Sequence, residues 1–549
     1  MRLSHIWLLA PALVSALDSF QESLTLHPLP DGKLSVLFKF TTYFTLSQPS
    51  SSSISQSHHT LTPPSLFLPL QNLNISELTI SFTSGRWDPH RSSLSGPLSY
   101  GSGGGGGEVR GWVRNGEGDE EQRWGEVTHA LGGLFCAGLG PREDGENVKT
   151  FGDVYPPQRG EESDMEHFLL SHPHHNLCTE NLTPFLSLLP SKGLSGLSAL
   201  LAQPGVIFSW GFKSEGIEVV MPSDEEPEGQ WTGWWEGVVD LIPPGAGTKH
   251  VKRDTSLQKL FGKRIPKACP EAESSVVRLV LPENEVVKTE PEGTSERVWI
   301  DGIEKEVIEW DLKESGMAGE DILVSWDEDK FRYPRTFTRP PISVSRTVVD
   351  AQASDGTFQI KLSNNANISR EAVYSEIWPW WVKGWISEIE VYTEDRRQTD
   401  GLVQSIAHDP SSPPRVSTTT VHLSLTLPPQ STVVLRIPFT KLMLKYTDHR
   451  PDAERGQEIP SSVLTLLDLV GEDLTGTSGS ISNVLKSGRA RVYSPRLLLD
   501  IPTPDFSMPY NVIVMSSTVM AVFFGLMQGA LTRRWGWVEV GSQEKHKEE

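Results

Sequence analysis

The chain has 549 residues and a formal net charge of −21 at pH 7. This acidity excludes a nucleic-acid binder, because such proteins neutralise phosphates with basic patches. Once the two terminal segments described below are set aside, roughly 500 residues remain, enough for two or three domains with substantial hydrophobic cores.

The N-terminus has the pattern of a secretory signal. Residues 1–16, MRLSHIWLLAPALVSA, combine one early arginine with a short apolar run and end in small residues. A buried first strand is the alternative, but it would not need Arg2 in front of the apolar run. We therefore predict a cleaved signal peptide at 1–16, which is too short to span a bilayer.

Residues 17–270 form the first predicted domain, which is mainly β. LSVLFKF (34–40) and ELTISF (77–82) alternate apolar and polar positions, as is typical of half-buried strands. Low-complexity breaks predict mobile surface loops, at 47–59, 101–108 and 144–164. The best helix candidate is 183–201. A change from a Trp- and Gly-rich part to clean strands predicts a domain boundary near Cys269.

Residues 271–500 form the second predicted domain. VVRLVL (276–281), VHLSLTL (421–427) and TVVLRIPF (432–439) again alternate. Short alternating strands with turns between them predict a mainly β fold of antiparallel, β-sandwich-like domains with few helices. The apolar run at 461–470 predicts a short helix.

Four tryptophans lie between Trp378 and Trp385, in EIWPWWVKGW. Core packing accounts for some of them. A cluster of amphipathic rings around one proline equally suits an interface or a membrane-surface belt. Both interpretations stay open at this stage.

The three cysteines are Cys136, Cys178 and Cys269. In the oxidising compartment that a signal peptide implies, thiols tend to pair. An odd number permits at most one internal bridge, which leaves one cysteine for a partner chain or free. Sequons predict glycosylation at Asn74 and Asn367, and a weaker one at Asn181, where proline follows the threonine.

The motifs for catalysis and ligand binding are weak. Gly101, Gly103 and Gly106 fit the letters of a dinucleotide fingerprint, but no strand precedes them and no helix follows. His172, His174 and His175 lie near Cys178, but the segment has the composition of a loop and no second ligand cluster matches it. We predict no catalytic constellation, no metal and no cofactor.

The C-terminal region has the pattern of a membrane anchor. Residues 501–510 contain a proline-punctuated tether with Pro502, Pro504, Asp505, Phe506, Pro509 and Tyr510. Residues 511–531 carry no charge and are long enough to cross the hydrocarbon core as a helix. Small residues four apart predict a face that packs against another helix, namely Ser517, Ala521, Gly525 and Gly529.

Residues 532–549 form the predicted cytoplasmic tail. Arg533 and Arg534 follow the span at once, which indicates the cytoplasmic end under the positive-inside rule. Lys545 and Lys547 lie five and three places from the C-terminus. They resemble the dilysine retrieval signal of endoplasmic reticulum (ER) membrane proteins. The two ends together predict a single-pass type I protein of the ER membrane with most of its chain luminal.

A series of sequence blocks, in chain order, indicates a known family. The blocks include LTISFTSGRW, LGGLFCAGL, LCTENLTPF, ACPEAESS, IWPWWVK, RPDAERGQEIPSSVL and, entering the span, PTPDFSMPYNVI. They resemble the PIG-T family of the glycosylphosphatidylinositol (GPI) transamidase complex, over nearly the whole predicted luminal region. Two positions depart from the family pattern, Phe185 where tryptophan is expected and Ser191 where a second cysteine is often found.

The resemblance implies a function and partners. PIG-T-like proteins are non-catalytic luminal subunits of the ER complex that cleaves a C-terminal signal and joins the new end to a GPI lipid. The implied partners are the caspase-like catalytic subunit PIG-K and the other membrane subunits. Cys178, in CTENLTP, is then the interchain disulfide cysteine, and Cys136 and Cys269 are left as a possible internal pair. Direct contact with the GPI lipid is left open.

Two other classes of protein compete with this interpretation. One is a luminal enzyme of the ER membrane that acts on glycans or lipids through carboxylates that no spacing singles out. The other is a β-sandwich receptor at the cell surface, which the tail lysines disfavour.

Overall fold

The structure is a computed structural model that describes residues 18–538 with internal gaps, of which the longest are 46–60, 89–103, 140–146, 243–251, 335–338, 411–417, 450–455, 468–490 and 503–506. The predicted signal peptide and the tail lysines Lys545 and Lys547 lie outside the described residues. The same holds for Pro504, Asp505 and Phe506 of the predicted tether.

Strands dominate the described part of the chain. In chain order they begin with β1 (Ser19–Pro28), β2 (Lys33–Thr45), β3 (Ile75–Ser84), β4 (Gly106–Arg114), β5 (Asn147–Lys149), β6 (Met165–His172), β7 (Phe212–Val220), β8 (Glu228–Asp240), β9 (Thr255–Ser256), β10 (Ser274–Val280), β11 (Val287–Glu290), β12 (Thr294–Ile300), β13 (Ile303–Asp311) and β14 (Leu323–Trp326).

The strands continue with β15 (Ile342–Val349), β16 (Asp355–Asn364), β17 (Arg370–Trp378), β18 (Val382–Gly384), β19 (Glu390–Thr393), β20 (Arg396–Arg397), β21 (Val403–Asp409), β22 (Thr419–Leu427), β23 (Ser431–Lys441), β24 (Gln457–Ile459), β25 (Val463–Leu466), β26 (Arg491–Tyr493) and β27 (Leu497–Leu499). The α-helices of the described residues are α1 (Pro64–Asn72), α2 (Glu120–Phe135), α3 (Thr179–Leu188), α4 (Ser198–Leu201), α5 (Pro204–Ile207), α6 (Leu257–Phe261) and α7 (Ser507–Thr532). The predicted mainly β fold with a C-terminal apolar helix is confirmed.

The largest sheet has eleven strands in the order β12-β13-β10-β1-β2-β8-β7-β3-β4-β6-β5. Among the described strand pairs, β1 with β10 is the only parallel one. Strands from both sides of residue 270 share this sheet, and the division of the chain at 270 stays a prediction.

Helices cover one face of the eleven-stranded sheet. Helix α2 was not predicted, although its buried residues recur at helical spacing, namely Trp124, Val127, Leu131 and Phe135. Asp119 caps it, since its Oδ1 accepts from the Glu121 N–H at 3.2 Å. The candidate helix at 183–201 is confirmed in part, as the end of α3 and as α4.

The second half of the chain forms a sandwich of two antiparallel sheets. One contains β15, β16, β18, β19, β20 and β23, and the other contains β17, β21, β22, β25 and β26. Phe358 of β16 stacks on Trp378 of β17, with ring centroids 5.4 Å apart. Asn364 Nδ2 of β16 donates to Leu427 O of β22 at 3.0 Å. These contacts join the two sheets through a common core.

The predicted helix at 461–470 is wrong. Residues Val463–Leu466 form strand β25, which pairs with β17 and β26 and is buried at all four positions. A short apolar run does not distinguish a buried strand from a buried helix. Here the segment forms a strand because it pairs with β17 on the side of β17 that β22 does not occupy.

The tryptophan cluster is divided between core and surface. Trp378 and Trp381 are fully buried, with exposed fractions of 0% and 1%, whereas Trp385 is 38% exposed. Each of the three indole N–H groups has an acceptor, on Glu376, Gln457 and Thr440 respectively. Core packing therefore explains two of the rings, and Trp385 keeps the interface interpretation open.

The segment around Tyr155, predicted as a mobile surface loop, packs between the first sheet and the sandwich. Trp112 Nε1 of β4 donates to Tyr155 O at 3.0 Å, and Thr465 Oγ1 of β25 donates to Val154 O at 3.2 Å. Val154 and Tyr155 are buried. The prediction was wrong here because two isolated apolar residues in a polar segment give no periodic signal.

The same segment is held by a carboxyl group. Glu77 Oε1 of β3 accepts from the backbone N–H groups of Gln158 and Arg159, at 2.6 and 2.9 Å. Burial raises the pKa of Glu77 to about 7 from 4.5, and Glu218 adds to this effect, while the two N–H donors and the Arg159 charge oppose it. The folded state therefore favours the protonated form.

This pKa predicts a loss of stability with rising pH. Between pH 4.5 and 7 the unfolded chain has released the Glu77 proton while the folded chain still holds it. The unfolded state then binds fewer protons, so the free energy of unfolding falls as pH rises through this window. A shift of this size corresponds to about 3 kcal/mol.

Glu77→Gln keeps the accepting oxygen and removes the titration. We expect the variant to lose about 3 kcal/mol less than the wild type between pH 4.5 and 8. Chemical denaturation of the full-length chain at both pH values measures the difference. The wild type serves as the control for the other titrating groups. One of them is Glu22, because burial also raises the pKa of its carboxyl group to about 7. Equal pH slopes for the two proteins would contradict the prediction.

The chain divides into two compact units. The first comprises Met1–Leu442 and Gly456–Leu499, and the second comprises Met443–Arg455 and Asp500–Glu549. In the second unit α7 begins at Ser507, four residues before the predicted start of the span. Pro509 therefore lies in the first turn of the helix, not in a separate tether. Proline is tolerated there because the first N–H groups of a helix have no intrahelical acceptor.

Candidate functional site around Cys178

Cys178 lies where the chain passes from β6 to α3. Its backbone is extended, with φ −136° and ψ 176°, and it is the N-cap of α3. The Cys178 C=O accepts from the Asn181 and Leu182 N–H groups at 3.1 and 3.3 Å. The side chain is half-buried. A helix N-terminus thus fixes the backbone of this cysteine while part of the residue remains accessible.

The buried carboxamide of Asn181 organises the site. Its Oδ1 accepts from the Cys178 N–H at 3.0 Å and from the Cys178 thiol at 3.3 Å. The same oxygen lies 3.2 Å from His175 Nε2, and the Nδ2 group donates to Phe135 O at 2.9 Å. One side chain therefore joins the end of α2, the start of α3 and the thiol.

The predicted glycosylation of Asn181 does not agree with its position in the fold. Its side chain has an exposed fraction of 0%, and its amide nitrogen is engaged by Phe135 O. A glycan would require this hydrogen bond to break and the side chain to leave the interior. The available signal was its position three residues after the N-cap, where a polar side chain reaches back to the N-cap N–H. Asn74 and Asn367 are exposed, and their glycosylation stays a prediction.

The histidines near Cys178 pack against the protein. The ring of His175 lies 5.0 Å from that of Phe82, measured between centroids. Burial lowers the pKa of His175, although its hydrogen bond to Asn181 opposes this. His174 Nδ1 is 3.9 Å from a carboxylate oxygen of Glu458. Within the described ranges no three His, Cys, Asp or Glu residues are grouped so that they could hold a metal ion.

The loop before Cys178 also contacts the second half of the chain. Arg496 Nη1 donates to Pro173 O and forms an ion pair with Glu458 at 2.8 Å. Ser461 Oγ accepts from the Gly105 N–H at 3.1 Å. Arg496, just before β27, therefore holds the loop before Cys178, and Ser461, just before β25, holds Gly105, which precedes β4.

The glycine run belongs to this junction. Gly106 has φ +100°, and a Cβ there would lie 2.6 Å from His172 O. A Cβ on Gly105 would lie 2.7 Å from Arg496 Nε. Residues 104–108 are therefore close-packed, and their prediction as a mobile loop was wrong. Glycine is required because other residues would separate the backbone from these neighbours.

All three cysteines are free thiols in this structure, so the possible Cys136–Cys269 pair is not formed. Cys136 is exposed and ends α2 in the left-handed conformation, with φ +52°. Cys269 is buried, and burial together with the carboxyl group of Glu22 raises the pKa of its thiol. The two cysteines thus have opposite surroundings. Cys136 follows Phe135, whose carbonyl binds Asn181, so it lies next to the Cys178 site.

The C-terminal helix has the properties of a membrane span. Residues 510–532 are long and apolar enough to cross a bilayer, and none of the apolar window is buried in the described structure. Ser517, Ala521 and Gly525 are exposed on it, and Gly529 is half-buried. The structure thus fits a class of protein, a membrane protein with a mainly β extramembrane part, a half-buried cysteine and, among the described residues, one helix suited to span a bilayer.

Comparison with known proteins identifies the family within this class. The sequence matches the family model described as "Gpi16 subunit, GPI transamidase component" over residues 4–253 and 243–549. The chain belongs to this family. The predicted resemblance to PIG-T is confirmed.

Individual relatives agree with the family. The chain is 28% identical to the mouse GPI-anchor transamidase component PIGT, over 94% of this chain and 90% of that protein. It is 25% identical to the Saccharomyces cerevisiae GPI transamidase component GPI16, over 95% and 89%. A family 3a carbohydrate-binding module from Clostridium thermocellum gives a TM-score of only 0.14, at 14% identity over 18% of this chain and 75% of the module. That likeness carries no functional argument.

Proposed function

We propose that this protein is a non-catalytic scaffold subunit of GPI transamidase that holds the caspase-like catalytic subunit, PIG-K, by an interchain disulfide through Cys178. Membership in a family of transamidase components supports the role in the complex. The observation that carries the finer proposal is the half-buried Cys178, whose thiol donates a hydrogen bond to Asn181.

The geometry distinguishes the three thiols. A disulfide requires its two sulfurs to meet at bonding distance with a restricted dihedral angle, so a fixed thiol suits one better than a mobile one. Cys269 is buried and therefore unsuited to a partner chain. Cys136 is more exposed than Cys178, and among the described residues no side-chain hydrogen bond orients its thiol. Cys136 is therefore the natural control.

The scaffold would act in the ER membrane with its β part in the lumen. Arg533 and Arg534 after α7 support a cytoplasmic C-terminus, since basic residues favour that side. The small residues of α7 would pack against the helices of other membrane subunits. The chain would thereby hold the catalytic subunit near the membrane, where a GPI lipid is available.

Gels of the protein from native membranes test the proposal, run with and without reductant. We expect the wild type to give a heavier, reducible band that contains a caspase-like chain. Cys178→Ser should abolish this band, whereas Cys136→Ser and Cys269→Ser should retain it. A monomer under both conditions, or loss of the band only in Cys136→Ser, would overturn the assignment of Cys178.

A further inference from the structure

The first compact unit has a surface region where the chain enters and leaves it. The unit ends at Leu442, resumes at Gly456 and ends again at Leu499. Trp381 lies among these points. Its carbonyl accepts from the Leu442 N–H at 2.7 Å, and its Nε1 donates to Gln457 Oε1 at 2.9 Å. Gln457 in turn pairs with Leu499 in the sheet of β24 and β27.

Apolar side chains are exposed in this region. The exposed fractions are 38% for Trp385, 38% for Leu442 and 57% for Leu498. We call these three residues the exit edge. Trp385 is tied to the end of β23, because its N–H donates to Pro438 O at 2.8 Å and its Nε1 donates to Thr440 Oγ1 at 3.0 Å.

A positively charged side chain lies beside the exit edge. Lys383 Nζ lies 4.7 Å from the centroid of the Trp385 ring, and Lys383 is exposed. A tryptophan beside a lysine and aliphatic residues is typical of the membrane–water interface. There the ring and aliphatic groups enter the headgroup layer while the ammonium group meets phosphates.

The length of the chain limits how far the exit edge can be from a bilayer. Seven residues, 500–506, separate Leu499 from Ser507, where α7 begins. Fully extended, this connection reaches at most about 28 Å. A membrane crossed by α7 therefore cannot be remote from Leu499 and the adjacent Leu498.

We propose that the exit edge rests on the surface of the bilayer that α7 crosses, with Trp385, Leu442 and Leu498 in the headgroup layer and Lys383 on lipid phosphates. The partner is a glycerophospholipid surface. The proposal depends on α7 spanning the membrane and not on the disulfide at Cys178. It assigns the surface part of the tryptophan cluster a direct role in orienting the scaffold.

Photolabelling of the full-length protein in its complex tests this contact. The complex is reconstituted in phosphatidylcholine nanodiscs that contain a phosphatidylcholine with a photoreactive diazirine near the headgroup, and labelled peptides are mapped by mass spectrometry. We expect labelling of α7 and of peptides that contain Trp385, Leu442 and Leu498. Leu194, which is 77% exposed in the region of the first sheet, is the matched control and should remain unlabelled.

A triple variant, Trp385→Ser, Leu442→Ser and Leu498→Ser, should reduce labelling of the exit edge several-fold and leave α7 labelling unchanged. Leu194→Ser should change neither. An unchanged melting temperature and unchanged co-purification with the other subunits of the complex would show that the triple variant remains folded and assembled. Labelling of α7 without the exit edge, equal labelling of Leu194, or cross-linking of the edge to a protein subunit instead of lipid would overturn the proposal.

Discussion

Replacing Glu376 with alanine is expected to lower the free energy of unfolding by about 3–5 kcal/mol, because it leaves a buried guanidinium without its counter-charge. Glu376 and Arg346 form an ion pair at 3.3 Å, with side-chain exposures of 1% and 0%. The Tyr374 hydroxyl and the Trp378 indole also donate to the Glu376 carboxylate. Arg346 Nη2 donates to Pro460 O at 2.6 Å.

The effect of Glu376→Ala is large because three groups depend on one carboxylate, namely the Arg346 guanidinium, the Tyr374 hydroxyl and the Trp378 indole. Chemical denaturation of the full-length protein measures the loss of unfolding free energy. Limited proteolysis shows whether the sandwich is the part that opens. Lys33→Ala is the matched control, since the Lys33–Asp240 pair at 3.2 Å has exposures of 36% and 57%. An exposed pair of this kind contributes at most about 1 kcal/mol. Similar losses of stability in the two variants would show that the Arg346–Glu376 network does not behave as a buried pair.

Asn181→Ala is expected to have the second large effect, with two separate consequences. The change leaves the Cys178 N–H and the Phe135 carbonyl without their hydrogen-bond partner in a buried site. An unsatisfied buried group costs about 1–3 kcal/mol, and the partly buried Cys178 N–H costs less than the buried Phe135 carbonyl, so we expect a loss of about 2–4 kcal/mol. The Cys178 thiol also loses its acceptor, and we expect a lower yield of the proposed interchain disulfide at equal protein level.

Thr183→Ala is the control for Asn181→Ala, because both substitutions remove the same sequon. The Thr183 side chain is exposed, and its hydroxyl only donates to Thr179 O in the same helix. We expect Thr183→Ala to change neither the stability, nor the disulfide yield, nor the electrophoretic mobility after reduction. A mobility shift equal to the loss of one glycan would contradict the burial of Asn181. Equal defects in both variants would assign the effect to the sequon and not to the carboxamide.

Some features of the fold were predictable because the pattern lies within a few residues. Strands such as 34–40 and 77–82 alternate apolar residues with polar ones, and the structure places strands β2 and β3 there. The span at 511–531 was predicted from its length and lack of charge. The missed helix α2 had a readable periodicity too, so that error lay in the interpretation of the pattern.

Other features depend on contacts between residues far apart in the chain. The sequence around Gly105 has the composition of a flexible linker, but in the fold Arg496 and Ser461, more than three hundred positions away, pack against it. Strand β25 forms because its backbone can pair with β17. Neither contact leaves a local signal, since the sequence near Gly105 gives no information about the residues that approach it.

The sequence by itself determined the mainly β class, the membrane helix and the family, because hydrophobic period, uncharged length and local motifs are written in consecutive residues. Only the tertiary structure decided the role of Asn181. The sequon suggested an exposed amide, but the fold buries that amide between α2 and α3 and directs its oxygen to the Cys178 thiol. A buried polar group must find its partners among whatever the packing brings near it. For Asn181 these partners are Phe135, His175 and Cys178.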